Sequence, residues 1–529
     1  MGSRLVWLGA AVALTAACNA ILGITPGKAG AGAAGGGGTV TTSTSSGGSG
    51  GTGGVPSCVA DPATFAPVFL DAWASGSVEP SFAEAMGVAV APDGHVWLAA
   101  RTTVGALEVG GSGVPTPGDG VDDGMLVELD GDTALRGVAF GGDGIVDVVD
   151  LAFLSDGTLL LVGSFTGTAH FGTHVLVAAA PADASEWSVY DAFVATFDPA
   201  ASAFTAARAL GDGYFQQMLG VEADADDNVY LLAGTRGALD WGDGAGPPFS
   251  GLGLAKLDAA GGVLWKRALA GDGVEFGAIS LAADGARLAV TGATSSAGVF
   301  GGSDPTETVL DSTEAFVALY DASGTWQWHR LLGGVDAQAG RTVGFAPGGD
   351  VVASGTYLSE LVEHGTATVF SGAETGYDGD DTWLGRFGAA DGATAWLHRI
   401  WGLGHQAPAS VVVDCAGRIL VAGSVSDAVG GLGVDFGAGS PVLGPPGDLG
   451  TGYHDLFLAA YDGAGALVDA SRLVDPYQEV AARLALDGAG RLVLAGSFWD
   501  SVSFSPVVGG TLYRTSTWDF FLARFTLSP

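Results

Sequence analysis

One two-hairpin phrase returns about seven times along the chain, and an internal repeat of that period constrains the architecture before any single residue is weighed. The stretch Asp191–Asp198 (DAFVATFD) recurs as Glu314–Asp321 (EAFVALYD), Asp455–Asp462 (DLFLAAYD) and Asp519–Thr526 (DFFLARFT). Looser copies lie at Asp123–Asp130 and Asp381–Gly388, and a weaker one ends at Asp258. The period is that of a strand. Phe193, Ala195 and Phe197, or Phe521, Ala523 and Phe525, fall on one face of an extended chain.

Around this phrase each unit has the same order. A small, aliphatic strand such as Gly87–Val90 or Ile279–Ala282 comes first, then a turn such as Pro92-Asp93-Gly94 or Ser155-Asp156-Gly157, then a returning strand such as Val96–Ala99 or Leu159–Val162. The turn residues are those that tolerate positive φ in tight hairpins. A longer loop leads to the aromatic third strand, and a fourth strand ends in Arg, one or two apolar residues and usually Gly, as in Trp328–Gly333 (WHRLLG). The last unit lacks its fourth strand, whereas an orphan strand, Val68–Trp73, precedes the first unit. The two termini can therefore complete one sheet, which closes a ring of four-stranded blades without exposed edges. The sequence predicts an all-β, seven-bladed β-propeller over residues 64–529, expected to be a monomer.

The phrase DAFVATFD, the Asp-Gly turns and the Arg-x-Leu-Gly endings resemble the bacterial beta-propeller repeat family abbreviated SBBP, over roughly residues 64–526. The resemblance implies a seven-bladed propeller and leaves activity open, because propellers host enzymes, scaffolds and binders alike.

The N-terminus sets the expected compartment. Arg4 precedes an apolar run, Leu5–Ala17, too short to span a bilayer, and small residues precede Cys18. Residues 1–17 read as a signal peptide, and Thr15-Ala16-Ala17-Cys18 after Leu14 resembles the bacterial lipobox, with Thr15 departing from the commoner Leu. That resemblance implies acylation of Cys18 and, with Asn19 following it, lodging in the outer membrane on its periplasmic or cell-surface side. Residues 18–57 then form a tether, because the run Gly30–Gly54 is almost all Gly, Ser, Thr and Ala and cannot offset its ordering entropy. Its r.m.s. reach is roughly 35 Å.

Charge narrows the partners. The net charge is −37, and no basic run exists to neutralise phosphates, so nucleic acid and an electrostatic grip on anionic lipid are excluded. Protein or glycan partners remain. Six of the 20 basic residues, Arg136, Arg208, Arg267, Arg330, Arg399 and Arg472, read as one repeated fourth-strand position that ties blades together. Asp123, Asp191, Glu314, Asp381, Asp455 and Asp519 open the third strands as turn caps.

A second acidic set, Asp143, Asp212, Asp272 and Asp336, falls in the loops between blades. Crowded on one face it would form an acidic rim able to take calcium or a cationic partner, although no EF-hand spacing is present. Solvated turns are the competing reading of the same residues, as of Asp224–Asn228. Trp187, Trp241 and Trp499 are candidates for a ligand platform on the long loops, with loop packing as the alternative. No zinc-protease, nucleophile-elbow or phosphate-loop motif occurs, and no cofactor is implied beyond calcium. Of three cysteines, Cys58 and Cys415 remain after Cys18 and are candidates for a disulfide. The expected function is a lipid-anchored propeller offering a protein-binding or scaffolding surface, with a carbohydrate-binding or carbohydrate-cleaving propeller as the alternative.

Overall fold

The computed structural model describes residues 67–527 apart from 75, 78–82, 104–105, 110–111, 116–121, 180–189, 271–274, 282–284, 295–299, 301–312, 335, 359, 364–368, 372–379, 403, 427–433, 438–453, 474–478 and 504–510. The signal peptide, Cys18, the tether, Cys58, Trp187 and Asp272 lie outside the described residues.

Every described element is a strand. Blade two shows the unit plainly: Val146–Phe153, Leu159–Phe165, Asp191–Asp198 and Ala203–Ala209 pair antiparallel in chain order. Gly157 turns the first hairpin with φ 86°, and the turn closes through Gly157 N–H to Leu154 O at 3.0 Å. Seven such sheets stand side by side. Their first strands, Ala83–Val90, Val146–Phe153, Gln216–Ala223, Glu275–Leu281, Gln338–Phe345, Gln406–Val413 and Glu479–Leu486, pack each against the next and the last against the first, so the ring is closed. Each carries a bulge, as between Ala85 and Gly87 or Gly340 and Thr342, which bends the strand around the centre.

The orphan strand does close the ring. Pro67–Ala74 pairs antiparallel with Thr511–Leu527, matching Phe69 to Phe525 and Trp73 to Leu522, and so supplies the outermost strand of blade seven.

Stacked sheets bury both faces of the third strand, which explains its lack of polar alternation. Phe193, Ala195 and Phe197 pack toward Trp97 and Leu126 of blade one, whereas Ala192 and Val194 pack toward Val221 and Leu231 of blade three. The aromatic needs room beneath it. Gly163 pairs with Phe193, Gly292 with Phe316, Gly355 with Trp383, Gly423 with Phe457 and Gly496 with Phe521. A glycine opposite an aromatic lets the ring lie flat across the neighbouring strand.

The acids opening the third strands are buried. Asp123 Oδ1 accepts the Gly142 N–H at 3.2 Å, and a Cβ on Gly211 would lie 2.0 Å from Asp191 Oδ1. The glycine ending of the fourth strand is thus the space that the acid fills.

The six arginines do not share one position. Arg208, Arg267 and Arg330 face Val194, Leu254 and Val317, the same place in three blades, and each reaches a backbone carbonyl of the next blade: Trp241, Gly324 and Asp391 at 2.7, 3.0 and 2.7 Å. Arg399 and Arg472 sit one residue further on, opposite Trp383 and Phe457, and His398 takes the equivalent place opposite Leu384. Arg136 falls opposite Glu128, to which it is bonded, with its guanidinium over the Trp97 ring. A one-residue shift turns a strand side chain to the other face, so a recurring letter does not secure a recurring role.

Candidate functional site

Strand direction sorts the loops. The first-to-second and third-to-fourth turns lie on one face of the disc, and the second-to-third and blade-to-blade loops share the other. The turn face is made of tight hairpins. The loop face carries the longer excursions.

On the loop face, the second-to-third loops of three blades fold back over the preceding blade. His170 pairs with Gly141, Val362 with Gly333 and Val434 with Gly402, each capping the end of an outer strand. Blade seven departs from this pattern. Its pairing runs past Phe498↔Asp519, where blade two stops at Phe165↔Asp191, and continues through Trp499↔Trp518 to Ser503↔Thr511. The resulting arm has Trp499 at its root, 36% exposed and edge-on to Trp518 with ring centroids 6.1 Å apart, and buries Val502 in the core shared with blade six.

At the junction of blades one and two, Arg101 collects three carboxylates. Its guanidinium lies 2.7 Å from Glu84, 3.1 Å from Asp147 and 3.4 Å from Asp122. Each residue comes from the loop-face end of a different strand: Glu84 opens the first, Arg101 ends the second, Asp122 precedes the third, and Asp147 opens the next blade. All four are half-buried. Burial pushes the Asp147 carboxyl upward, Arg101 pulls it down, and Asp122 and Glu84 push it up again, leaving it above the usual carboxylate range. Burial opposes the Arg101 charge, but the three carboxylates outweigh it. Burial, then Asp147 and Asp122, raise the Tyr190 hydroxyl against the pull of Arg101, and its ring meets Phe215 edge-on at 5.9 Å. Three carboxylates against one guanidinium leave an acceptor-rich, net negative patch beside aromatic rings. Such a patch suits cationic side chains or the donors of a sugar hydroxyl.

A second group lies at the loop-face end of blade five. Asp381 is pushed up to about 7 by burial, opposed by the Gly402 N–H, Tyr357 and Arg399, with Asp380 adding to the rise. A raised carboxyl stabilises the fold fully below its ordinary range near pH 4, and that contribution is lost as pH rises through about 7. We expect Asp381→Asn to shrink the fall in unfolding free energy between pH 5 and pH 8 by up to roughly 3 kcal/mol, the share of the window that lies between pH 5 and about 7. Denaturant melts at the two pH values check it, and an unchanged difference would refute the assignment.

Two members of the expected acidic rim, Asp143 and Asp212, serve as local caps. Asp143 Oδ1 accepts the Thr168 N–H at 2.5 Å, while Asp212 accepts from Gln216 Nε2 at 2.6 Å and from Ala238 N–H at 2.7 Å. Asp336 is half-buried. Asp224 caps its own turn and lies 3.2 Å from Lys256 Nζ. Among the described residues no group of three or more His, Cys, Asp or Glu is placed to hold a metal ion. Trp241 is 3% exposed and packed between blades two and three, so it offers no platform. Of the three tryptophans singled out from sequence, Trp499 is exposed, and it lies on a strand instead of in a loop.

No known family model matches the sequence, and no curated protein does. Among solved structures, a protein of unknown function from Dyadobacter fermentans is 12% identical, covering 87% of this chain and 99% of that one, with a TM-score of 0.35. The quinohemoprotein alcohol dehydrogenase from Comamonas testosteroni is 13% identical, covering 86% of this chain and 76% of that one, with a TM-score of 0.36. Likeness at this level carries no argument about activity.

Proposed function

We propose that this chain is an exported lipoprotein, held to the outer membrane through acylated Cys18, whose propeller presents its loop face as a protein-binding surface. The observation that carries the reading is the polarity of the closing strand. Pro67 pairs with Leu527 at the turn face, so the chain N-terminal to it enters on that side. A membrane tether would then leave the opposite face, with the Arg101 patch and the Trp499 arm, directed away from the lipid. Trp499 is the aromatic anchor and the Arg101 carboxylates are the charged complement for a basic partner. The SBBP-like repeat phrases agree with a display role and name no ligand.

Carbohydrate is the second reading, favoured by Glu84, Asp122 and Asp147 meeting from two blades on the same face as the exposed Trp499. Crosslinking and co-purification of the full-length protein from its own cells, against Cys18→Ser and Trp499→Ala, separates the two. A partner enriched with wild type and lost with both variants supports protein display. Sugar binding by the propeller that Trp499→Ala abolishes, with no protein enriched, would replace it.

A further inference from the structure

Cys415 sits in the first hairpin turn of blade six and is disulfide-bonded. The turn holds it firmly: Asp414 Oδ1 accepts the N–H groups of Ala416 and Arg418 at 2.9 and 2.8 Å, and Asp414 Oδ2 accepts from Arg418 Nε at 2.6 Å. The chain has two other cysteines, Cys18 and Cys58, both outside the described residues. We infer that Cys58 is the partner, and that the bond locks ring closure and fixes the point at which the tether leaves the domain.

Three observations select it. The Cys415 turn is a first-to-second turn, so it lies on the turn face, and Pro67 begins the closing strand on that same face. Blades six and seven are neighbours sharing one core, in which Leu420 and Leu458 pack with Leu494 and Phe521. Cys58 precedes Pro67 by nine residues (67 − 58), a reach of up to about 30 Å. Under the proposed lipoprotein reading Cys18 is unsuited on chemical grounds, since a sulfur alkylated by the lipid as a thioether cannot also form a disulfide.

Formation balances against an external disulfide of the exported compartment. One cysteine thiolate attacks that disulfide and expels a thiolate. The second cysteine then attacks the mixed disulfide, forming the internal bond and releasing the other thiol, so two electrons and two protons pass to the oxidant. The consequence is mechanical. Peeling Pro67–Ala74 from blade seven is the simplest way to open the ring, and a link from Cys58 to blade six confines that strand even when its ladder frays. The inference does not depend on what the loop face binds.

The test is nonreducing peptide mapping of full-length Cys18→Ser protein alkylated before digestion. The expected product is one peptide pair joining Cys58 to Cys415, with neither thiol alkylated. Alkylated Cys58, or Cys415 joined to Cys415 of a second chain, would overturn the inference. The same map on wild type must show no Cys18–Cys415 pair, and such a pair would overturn it equally. As a second readout, reductant should lower the melting temperature of the wild type by several degrees. Cys58→Ser, Cys415→Ser and the double variant should show the same fall without reductant and no further fall with it. Unequal single variants would count against a shared bond, and the wild-type reduction readout stands even where a variant fails to fold.

Discussion

A chain starting at residue 78, and therefore lacking Pro67–Ala74, is expected to lose its folded monomer. The third strand of blade seven would keep its buried row, Phe521, Ala523 and Phe525, but its outer edge would be left with unpaired backbone groups. The seven Cα pairs from Pro67↔Leu527 to Ala74↔Phe521 would vanish together. At about 0.2–1 kcal/mol per cross-strand pair, with ladder hydrogen bonds of about 1 kcal/mol each, the loss is several kcal/mol. That is comparable to the whole net stability of a domain, about 5–15 kcal/mol. The exposed strand is also a template for another chain, so aggregation should accompany unfolding. Size-exclusion chromatography with a thermal melt decides the matter. A monomer melting within a few degrees of wild type would show that the ring does not rely on its terminal strand.

The second large effect is expected from the smallest possible substitution. In Gly355→Ala the new Cβ would lie 1.9 Å from the Ala339 carbonyl oxygen and 2.8 Å from the Trp383 indole. Neither can move aside cheaply. Ala339 belongs to the inner strand of the ring, and its carbonyl accepts the Trp383 Nε1–H at 3.2 Å directly above the glycine. We expect a loss of about 3 kcal/mol or more, from overpacking and a disturbed buried hydrogen bond. Gly348→Ala is the control. It lies in the hairpin turn of the same blade with φ 92° and open space around its Cβ position, so it should cost only about 1 kcal/mol of backbone strain. Equal losses in the two variants would refute the packing argument.

The two substitutions mark how far the sequence could be read. Gly348 belongs to a turn whose chemistry is local, and local chemistry is visible in a single sequence. Gly355 is dictated by Trp383 across the ladder and by Ala339 behind it, and neither neighbour is adjacent in the chain. The arginines illustrate the same boundary from the other side. Their recurrence was plain, but three registers were hidden in it: the bulge between third and fourth strands recurs at one place in each blade, and the arginine lies two residues past it at Arg136 (from Ala134), four at Arg208 (from Phe204) and five at Arg399 (from Thr394). Trp241 and Trp499 both looked like loop tryptophans. Contacts with neighbouring blades bury the first, whereas the lengthened ladder of blade seven leaves the second at the surface.

By itself the sequence determined the strand period, the hairpin turns, the repeat number and the complementary termini, and with them a closed seven-bladed ring. The period and the turns follow from backbone geometry and side-chain alternation within a few residues of each other, and the repeat count and the complementary termini from setting the copies of one phrase side by side. Only the tertiary structure decided that Glu84, Arg101, Asp122 and Asp147 meet at one junction and which blades lend their loops to the edges of others. It also decided which face the closing strand starts from. Those outcomes depend on strand direction and on charges brought together across blades, where burial strengthens each interaction, and no spacing along the chain encodes them.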